Sequence, residues 1–223
     1  MENVAERINK SELIYSKNQY MGDFSNQIFV ERFGDTPILL SAPHATKQMR
    51  KGQLKLQEFN TGAITMELAK ELNCYFISKN YSLPNNLEDD TNSEKNCIYK
   101  RELSTFLKDN KINFFVDFHG MSSNRDSIID ICVNSEININ YNKSDVNLKN
   151  IIDSSFGKES ASIDKYFRAK TDTVLSNWVH TNHNIPSLEI EINGKYRWFE
   201  SECLKDSIKL FDNFLIWLKN QEK

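Results

Sequence analysis

The chain has 223 residues and a formal net charge of −3, and 39% of it is apolar, with 14 phenylalanines and 3 tryptophans. That is one domain of ordinary size, spanning 1–223, with enough aromatic and β-branched residues to exclude a disordered chain. The near-neutral charge gives nucleic acid no electrostatic hold, and no apolar run approaches the ~20 residues that cross a bilayer.

The opening stretch, MENVAERINK, is polar and acidic, unlike an export signal, and points to the cytoplasm. Cys74, Cys97, Cys132 and Cys203 lack CxxC spacing and read as reduced, mostly core thiols, which argues against a zinc–thiolate site. SELIYSK (11–17) and NQIFVERFG (26–34) read as early strands, followed by a turn at Gly34-Asp35. PILLSAPHA (37–45) is a compact apolar strand ending at Pro43-His44. TGAITMELAKELN (61–73) is a helix, because Ile64, Leu68 and Leu72 recur every four residues and Thr61 can cap it. CYFIS (74–78) is a buried strand, NCIYKRELSTFLKDNK (96–111) a helix, and INFFVDF (112–118) and SIIDICV (127–133) strands. NSEININYNKSDVN (134–147) reads as surface loop or short irregular structure. TDTVLSNWVHTNHN (171–184) is helical and SLEIEIN (187–193) is a strand. The last helix carries an apolar stripe of Leu204, Ile208, Phe211, Leu215 and Leu218. Alternating strands and helices define an α/β sandwich around a largely parallel sheet.

In such sheets, ligands bind beyond the carboxyl ends of the strands. His44 and His119 both stand at strand ends, each followed by a small residue, Ala45 or Gly120, that lets a ligand approach. Glu189 and Glu191 lie two apart on one face of SLEIEIN, opposite Leu188, Ile190 and Ile192. Unpaired buried charge is costly, so that face either meets solvent or its carboxylates have a task. Two histidines with a carboxylate make a catalytic zinc set, and a separate carboxylate then takes a proton from the attacking water. Asp117, two residues before His119, can orient a ligand from behind. His180 and His183, near a helix end, suit interaction with the helix dipole better than a metal role. The acidic EDD at 88–90 reads as a solvated loop.

SAPHA (41–45), RKGQLKLQEFNTG (50–62), DDTN (89–92), VDFHGM (116–121) and LEIEINGKYR (188–197), in that order, resemble the N-formylglutamate amidohydrolase family. That family is related in fold to zinc carboxypeptidases and aspartoacylases. The resemblance implies a phosphorylase/hydrolase-like, three-layer α/β/α sandwich around a mixed, mostly parallel sheet. It also implies one Zn²⁺ and hydrolysis of an amide bond in an N-acyl amino acid or peptide. By the same resemblance, His44 and His119 match the zinc histidines, Glu58 is chosen as the carboxylate ligand, and Glu191 resembles the general base. Arg50 and Arg197 resemble positions suited to the developing oxyanion or a substrate carboxylate, and Asn92 falls at a substrate-binding position.

One departure matters. Carboxypeptidase-like enzymes carry the glutamate ligand three residues after the first histidine, where this chain has Lys47. Glu58, fourteen residues on, must then reach back, with Asp90 as the alternative ligand and Glu189 as the rival base. A zinc carboxypeptidase, a γ-glutamyl-chain hydrolase and a non-catalytic binding protein of the same fold remain the competing functional readings.

Overall fold

The computed structural model describes residues 2–24, 29–32, 34–82, 90–92, 95–133 and 144–221. A seven-stranded sheet runs through the molecule in the order β1-β5-β2-β6-β9-β7-β8. Its strands are β1 (Phe29–Arg32), β2 (Thr36–Ala42), β5 (Cys74–Lys79), β6 (Phe114–Met121), β7 (Ile129–Cys132), β8 (Ala161–Ile163) and β9 (Ser187–Asn193). The central strands β5, β2, β6 and β9 are mutually parallel, while β1 and β7 pair antiparallel to their inner neighbours. β3 (Gln48–Arg50) and β4 (Gln53–Lys55) form a separate antiparallel hairpin.

Alternation along the strands sorts the core into two layers. Ile38 and Leu40 of β2, Phe114, Val116 and Phe118 of β6, and Leu188, Ile190 and Ile192 of β9 face one way. They are covered by α1 (Val4–Tyr20), α2 (Thr61–Leu72), α4 (Ser144–Phe156) and α6 (Leu204–Lys219). Leu39, Ile77 and Phe115 face the other way, under α3 (Ile98–Asp109) and α5 (Leu175–His183). The fold is therefore a three-layer α/β/α sandwich around a mixed, mostly parallel sheet.

The first segment departs from its sequence reading. SELIYSK is not a strand but the second half of α1. Ala5, Ile8, Ser11, Glu12 and Tyr15 are its buried positions, a helical spacing, and Asn3 with Glu6 closes a capping box at its start. A short apolar window hid that longer period. Of NQIFVERFG, Phe29–Arg32 forms β1, whereas 25–28 and 33 lie outside the described residues. Most of the 134–147 patch also lies outside them, but Ser144 begins α4, so its last four residues are helical. Leu148 and Ile152 supply the buried side of that helix. Thr61 does not cap α2. It is the first helical residue, its hydroxyl donates to the carbonyl of Glu58, and Asn60 in a left-handed conformation turns the chain instead. The stripe of α6 is wider than its sequence reading. Leu210, Phe214 and Trp217 join Phe211 and Leu218 in the core, with Leu204, Ile208 and Leu215 packed at its margin. Trp217 anchors α6 by donating from Nε1 to the carbonyl of Ser144 at 3.0 Å.

Candidate active site

The carboxyl ends of β2, β6 and β9 meet at one edge of the sheet. His44 follows β2 by two residues, and His119 lies near the end of β6. In the β6–β9 register Asp117 stands beside Glu189 and His119 beside Glu191. These four side chains share the face that, farther down, α3 and α5 cover. The paired carboxylates of SLEIEIN therefore do not face open solvent. Both are buried, at the floor of a cleft of about 490 Å³.

Glu58 joins this edge from the loop after the β3–β4 hairpin. Its backbone N–H donates to the carbonyl of His44 at 2.8 Å, which folds the loop back onto the end of β2. His44 Nδ1 lies 3.0 Å from Glu58 Oε1, and His119 Nδ1 lies 3.2 Å from Oε2. The two imidazole centroids are 4.6 Å apart. The donor atoms of His44, Glu58 and His119 all fall within 4.8 Å of one another. Each ring is held at its other nitrogen: Thr91 Oγ1 is 3.0 Å from His44 Nε2, and Asp117 Oδ2 is 2.8 Å from His119 Nε2. The backbone N–H of Gly120 donates to Glu58 Oε2 at 2.9 Å.

Burial pushes His44 down to about 3, with Lys55 adding to the effect and Glu58 opposing it. Burial acts the same way on His119, but Asp117, Glu58 and Glu189 outweigh it and hold that imidazole well above its usual range. Burial alone would raise Glu58, yet His44, Lys55 and His119 together hold it well below the ordinary carboxylate range. Glu189 is pushed up to about 7 and Glu191 to about 8, chiefly by burial. Glu191 Oε2, Glu189 Oε2 and Asp117 Oδ1 are buried without a hydrogen-bond partner. Two imidazoles and an ionised carboxylate converging on one point, backed by orphaned carboxylate oxygens, form a donor set that fits a divalent transition metal. Lys55 Nζ sits 2.9 Å from Glu58 Oε1 and 3.2 Å from His44 Nδ1, the positive charge closest to that donor set.

The other sequence-derived candidates fall around this centre. Asp90 is outside the donor group; it accepts from Arg50 Nε and from the backbone N–H of Asn92. Glu189 instead forms a second group with Asp117 and His119, its Oε2 3.7 Å from His119 Nε2. Arg50 and Asn92 line the cleft, and Asn92 Oδ1 accepts from the first N–H of α5. Arg197 differs from its sequence reading: it sits behind the site, not in the cleft. Its guanidinium is buried and donates to the carbonyls of Ile192, Met121 and Phe59, which fix it behind the site. A β-carbon on Gly120 would lie 2.5 Å from Arg197 Cζ, so glycine is required where β6 passes over that guanidinium. His180 and His183 end α5 at the opposite edge of the sheet. His180 Nδ1 pairs with the carbonyl of Ile185, and the ring of His183 packs on Trp178.

The sequence reading missed Lys55, Arg125 and Arg168, which also line the cleft. Lys55 was within the quoted KLQEFNTG motif, but a lone lysine gives no spacing signal. Arg168 arrives on the loop after β8. Asp130, beside Glu191 in the β7–β9 register, orders that loop. Its carboxylate accepts from the backbone N–H groups of Lys165, Tyr166 and Phe167 and from Ser162 Oγ.

No protein-family model matches the sequence, and no curated protein is detectably similar to it. Solved structures do match. A gene product, Atu2144, from Agrobacterium tumefaciens superposes with TM-score 0.60 at 12% identity, over 91% of this chain and all of its own. A bacteriophage poly-gamma-glutamate hydrolase superposes with TM-score 0.52 at 12% identity, over 88% of this chain and 93% of its own. A metallo-carboxypeptidase from Burkholderia cenocepacia has TM-score 0.50 at 9% identity, over 86% of this chain but 61% of its own. An N-formylglutamate amidohydrolase from Ralstonia eutropha JMP134 has TM-score 0.49 at 9% identity, over 87% of this chain and 96% of its own. At 9–12% identity the likeness is one of fold. Among the described residues, no helix is long and apolar enough to cross a membrane.

Proposed function

We propose that this chain is a zinc-dependent hydrolase that cleaves an amide bond in an N-acyl amino acid, N-formylglutamate being the type, or in a peptide. The observation that carries this reading is the convergence of His44 Nδ1, Glu58 and His119 Nδ1, with the far nitrogen of each ring held by Thr91 or Asp117. Histidine ligands backed by a hydrogen-bonded carboxylate or hydroxyl are how proteins orient imidazoles on a metal. His44, Glu58 and His119 would hold the zinc, which supplies Lewis-acid polarisation of the amide carbonyl and acidifies water. His119 must lose its extra proton for the metal to take Nδ1, and Lys55 must give up its contacts to the same two side chains.

Glu191 is the base in this reading. Its Oε2 has no hydrogen-bond partner, and its carboxylate lines the cleft beside His119. It takes a proton from the attacking water and passes it to the leaving nitrogen. Arg50, fixed by Asp90, faces the cleft and stabilises charge developing on the carbonyl oxygen. Glu189 is set deeper, against His119 Nε2, and serves to position that ring. The likeness in fold to a poly-gamma-glutamate hydrolase favours a second reading, cleavage within γ-glutamyl chains. Cys74, Cys97, Cys132 and Cys203 are not joined in disulfides, which agrees with a reducing compartment, the cytoplasm.

The test is a zinc-loaded enzyme offered N-formyl, N-acetyl and γ-glutamyl substrates. Hydrolysis of one class that stops on chelation and returns with zinc supports the proposal. Absence of hydrolysis across the panel in a protein that retains zinc would favour the binding-protein reading.

A further inference from the structure

Lys55 is the last residue of β4, and the chain that leaves it folds back at once to bring in Glu58, three residues on. Its ammonium closes a triangle with two of the three proposed metal donors. Nζ lies 2.9 Å from Glu58 Oε1 and 3.2 Å from His44 Nδ1, and those two atoms are 3.0 Å apart. An ammonium has three donors and no lone pair, so its hydrogen bond to Nδ1 requires a lone pair on that nitrogen. The ring proton then stands on Nε2, where Thr91 Oγ1 accepts it at 3.0 Å. Nδ1 and Oε1 therefore face each other as two acceptors, and the positive charge they share offsets their mutual repulsion.

A divalent metal makes the same demand on the same atoms. It takes an imidazole through a lone pair, and Nδ1 has one. That lone pair cannot serve Lys55 and a metal together, and two cations this close repel. Lys55 has somewhere to go. Its side chain is 26% exposed and lines the cleft, into which a flexible four-carbon stem can swing.

We infer that Lys55 is the site's own competitor for the metal. It holds His44 in the tautomer a metal needs, yields Nδ1 and Glu58 Oε1 only when an ion displaces it, and so sets the zinc level at which the site fills. It is a positioning residue, not a ligand. The inference rests on the proposed function only in taking His44, Glu58 and His119 as the metal donors.

The test is zinc competition against a chromogenic chelator, at one pH and one salt concentration. Lys55→Met should bind zinc at least about tenfold more tightly than wild type, the order expected when a hydrogen bond between charged groups no longer has to be broken. Lys55→Arg keeps the cation and should return affinity towards wild type. A lysine that merely braced the loop would give the opposite sign, because its loss would loosen Glu58 and weaken zinc binding. Lys111→Met removes an equal charge from an exposed position before the amino end of β6, and should leave zinc affinity within about twofold, since distant exposed charges are screened. A second measurement needs no variant. Proton–nitrogen correlation spectra of the zinc-stripped wild type should show His44 protonated on Nε2; in Lys55→Met the proton should shift towards Nδ1, where Glu58 can accept it. Zinc affinity in Lys55→Met equal to or below wild type, an equal gain in Lys111→Met, or a proton on His44 Nδ1 in the zinc-stripped wild type would overturn the inference and leave the proposed reaction standing. A wild type that binds no zinc would end both. Tighter zinc binding by Lys55→Met in a chain that hydrolyses no amide would refute the reaction and leave the role of Lys55 in place.

Discussion

Asp117→Asn tests the centre through a residue behind it. Asp117 is fully buried, and its Oδ2 sits 2.8 Å from His119 Nε2, which leaves Nδ1 as the atom turned to Glu58. Asparagine has nearly the same shape but two orientations. With its carbonyl towards Nε2, the amide NH₂ takes the place of Oδ1, which has no partner, and a buried donor goes unsatisfied at about 1–3 kcal/mol. With its NH₂ towards Nε2, the ring proton moves to Nδ1, the nitrogen needed for the metal. Either way zinc affinity should fall about 10–100-fold, the range found when partners of metal-ligating histidines are changed, equivalent to about 1.4–2.7 kcal/mol. Competition against a chromogenic zinc chelator reads this directly, with circular dichroism to confirm that the variant is folded. A zinc affinity within twofold of wild type would refute the role given to the Asp117–His119 pair.

Other expectations follow from the same geometry. Glu191→Gln should keep zinc and lose amide turnover by at least about 100-fold, the low end for a general base; Glu189→Gln should lose less in kcat and more in zinc affinity, and the reverse order would exchange their roles. Gly120→Ala should destabilise by about 1–3 kcal/mol, because the added carbon meets an Arg197 guanidinium that its carbonyl partners hold in place, and a thermal melt unchanged within a degree would count against that packing. Glu12 is buried, with Oε1 accepting from the N–H of Asn60 and Oε2 unpartnered, and burial raises it from 4.5 to about 7. Its folded form therefore prefers the proton, so its contribution is fully present below about 4.5 and is lost as pH rises through about 7. Glu12→Gln should gain up to about 3 kcal/mol relative to wild type between pH 5 and pH 8 in urea unfolding, and a pH-independent difference would contradict this.

The edge where His44, His119 and the two glutamates meet was legible because strand period and strand direction are local properties. A residue at the end of β2 or β6 lies at the sheet's carboxyl edge wherever its neighbours pack, and residues two apart in β9 share a face. Glu58 was reachable only as a choice against Asp90, because what brings it in is a backbone bond from its N–H to His44, which no spacing encodes. Arg197 shows the limit from the other side. Its place in the LEIEINGKYR motif suggested a substrate contact, while three backbone carbonyls settle where its guanidinium points. That Arg168 lines the cleft was invisible, since a buried aspartate on β7 orders its loop from more than thirty residues away. SELIYSK failed for a plainer reason: seven residues are too short a window to tell alternation from a helical stripe whose other members, Ala5 and Ile8, precede it.

Whether distant imidazoles and a loop carboxylate together hold one divalent ion is settled most directly by elemental analysis after equilibrium dialysis against zinc. Wild type should retain about one zinc per chain, Glu58→Ala and His119→Ala should retain almost none, and Asp90→Ala should retain what wild type does. Full occupancy in Glu58→Ala or His119→Ala, or a metal-free wild type, would contradict the site.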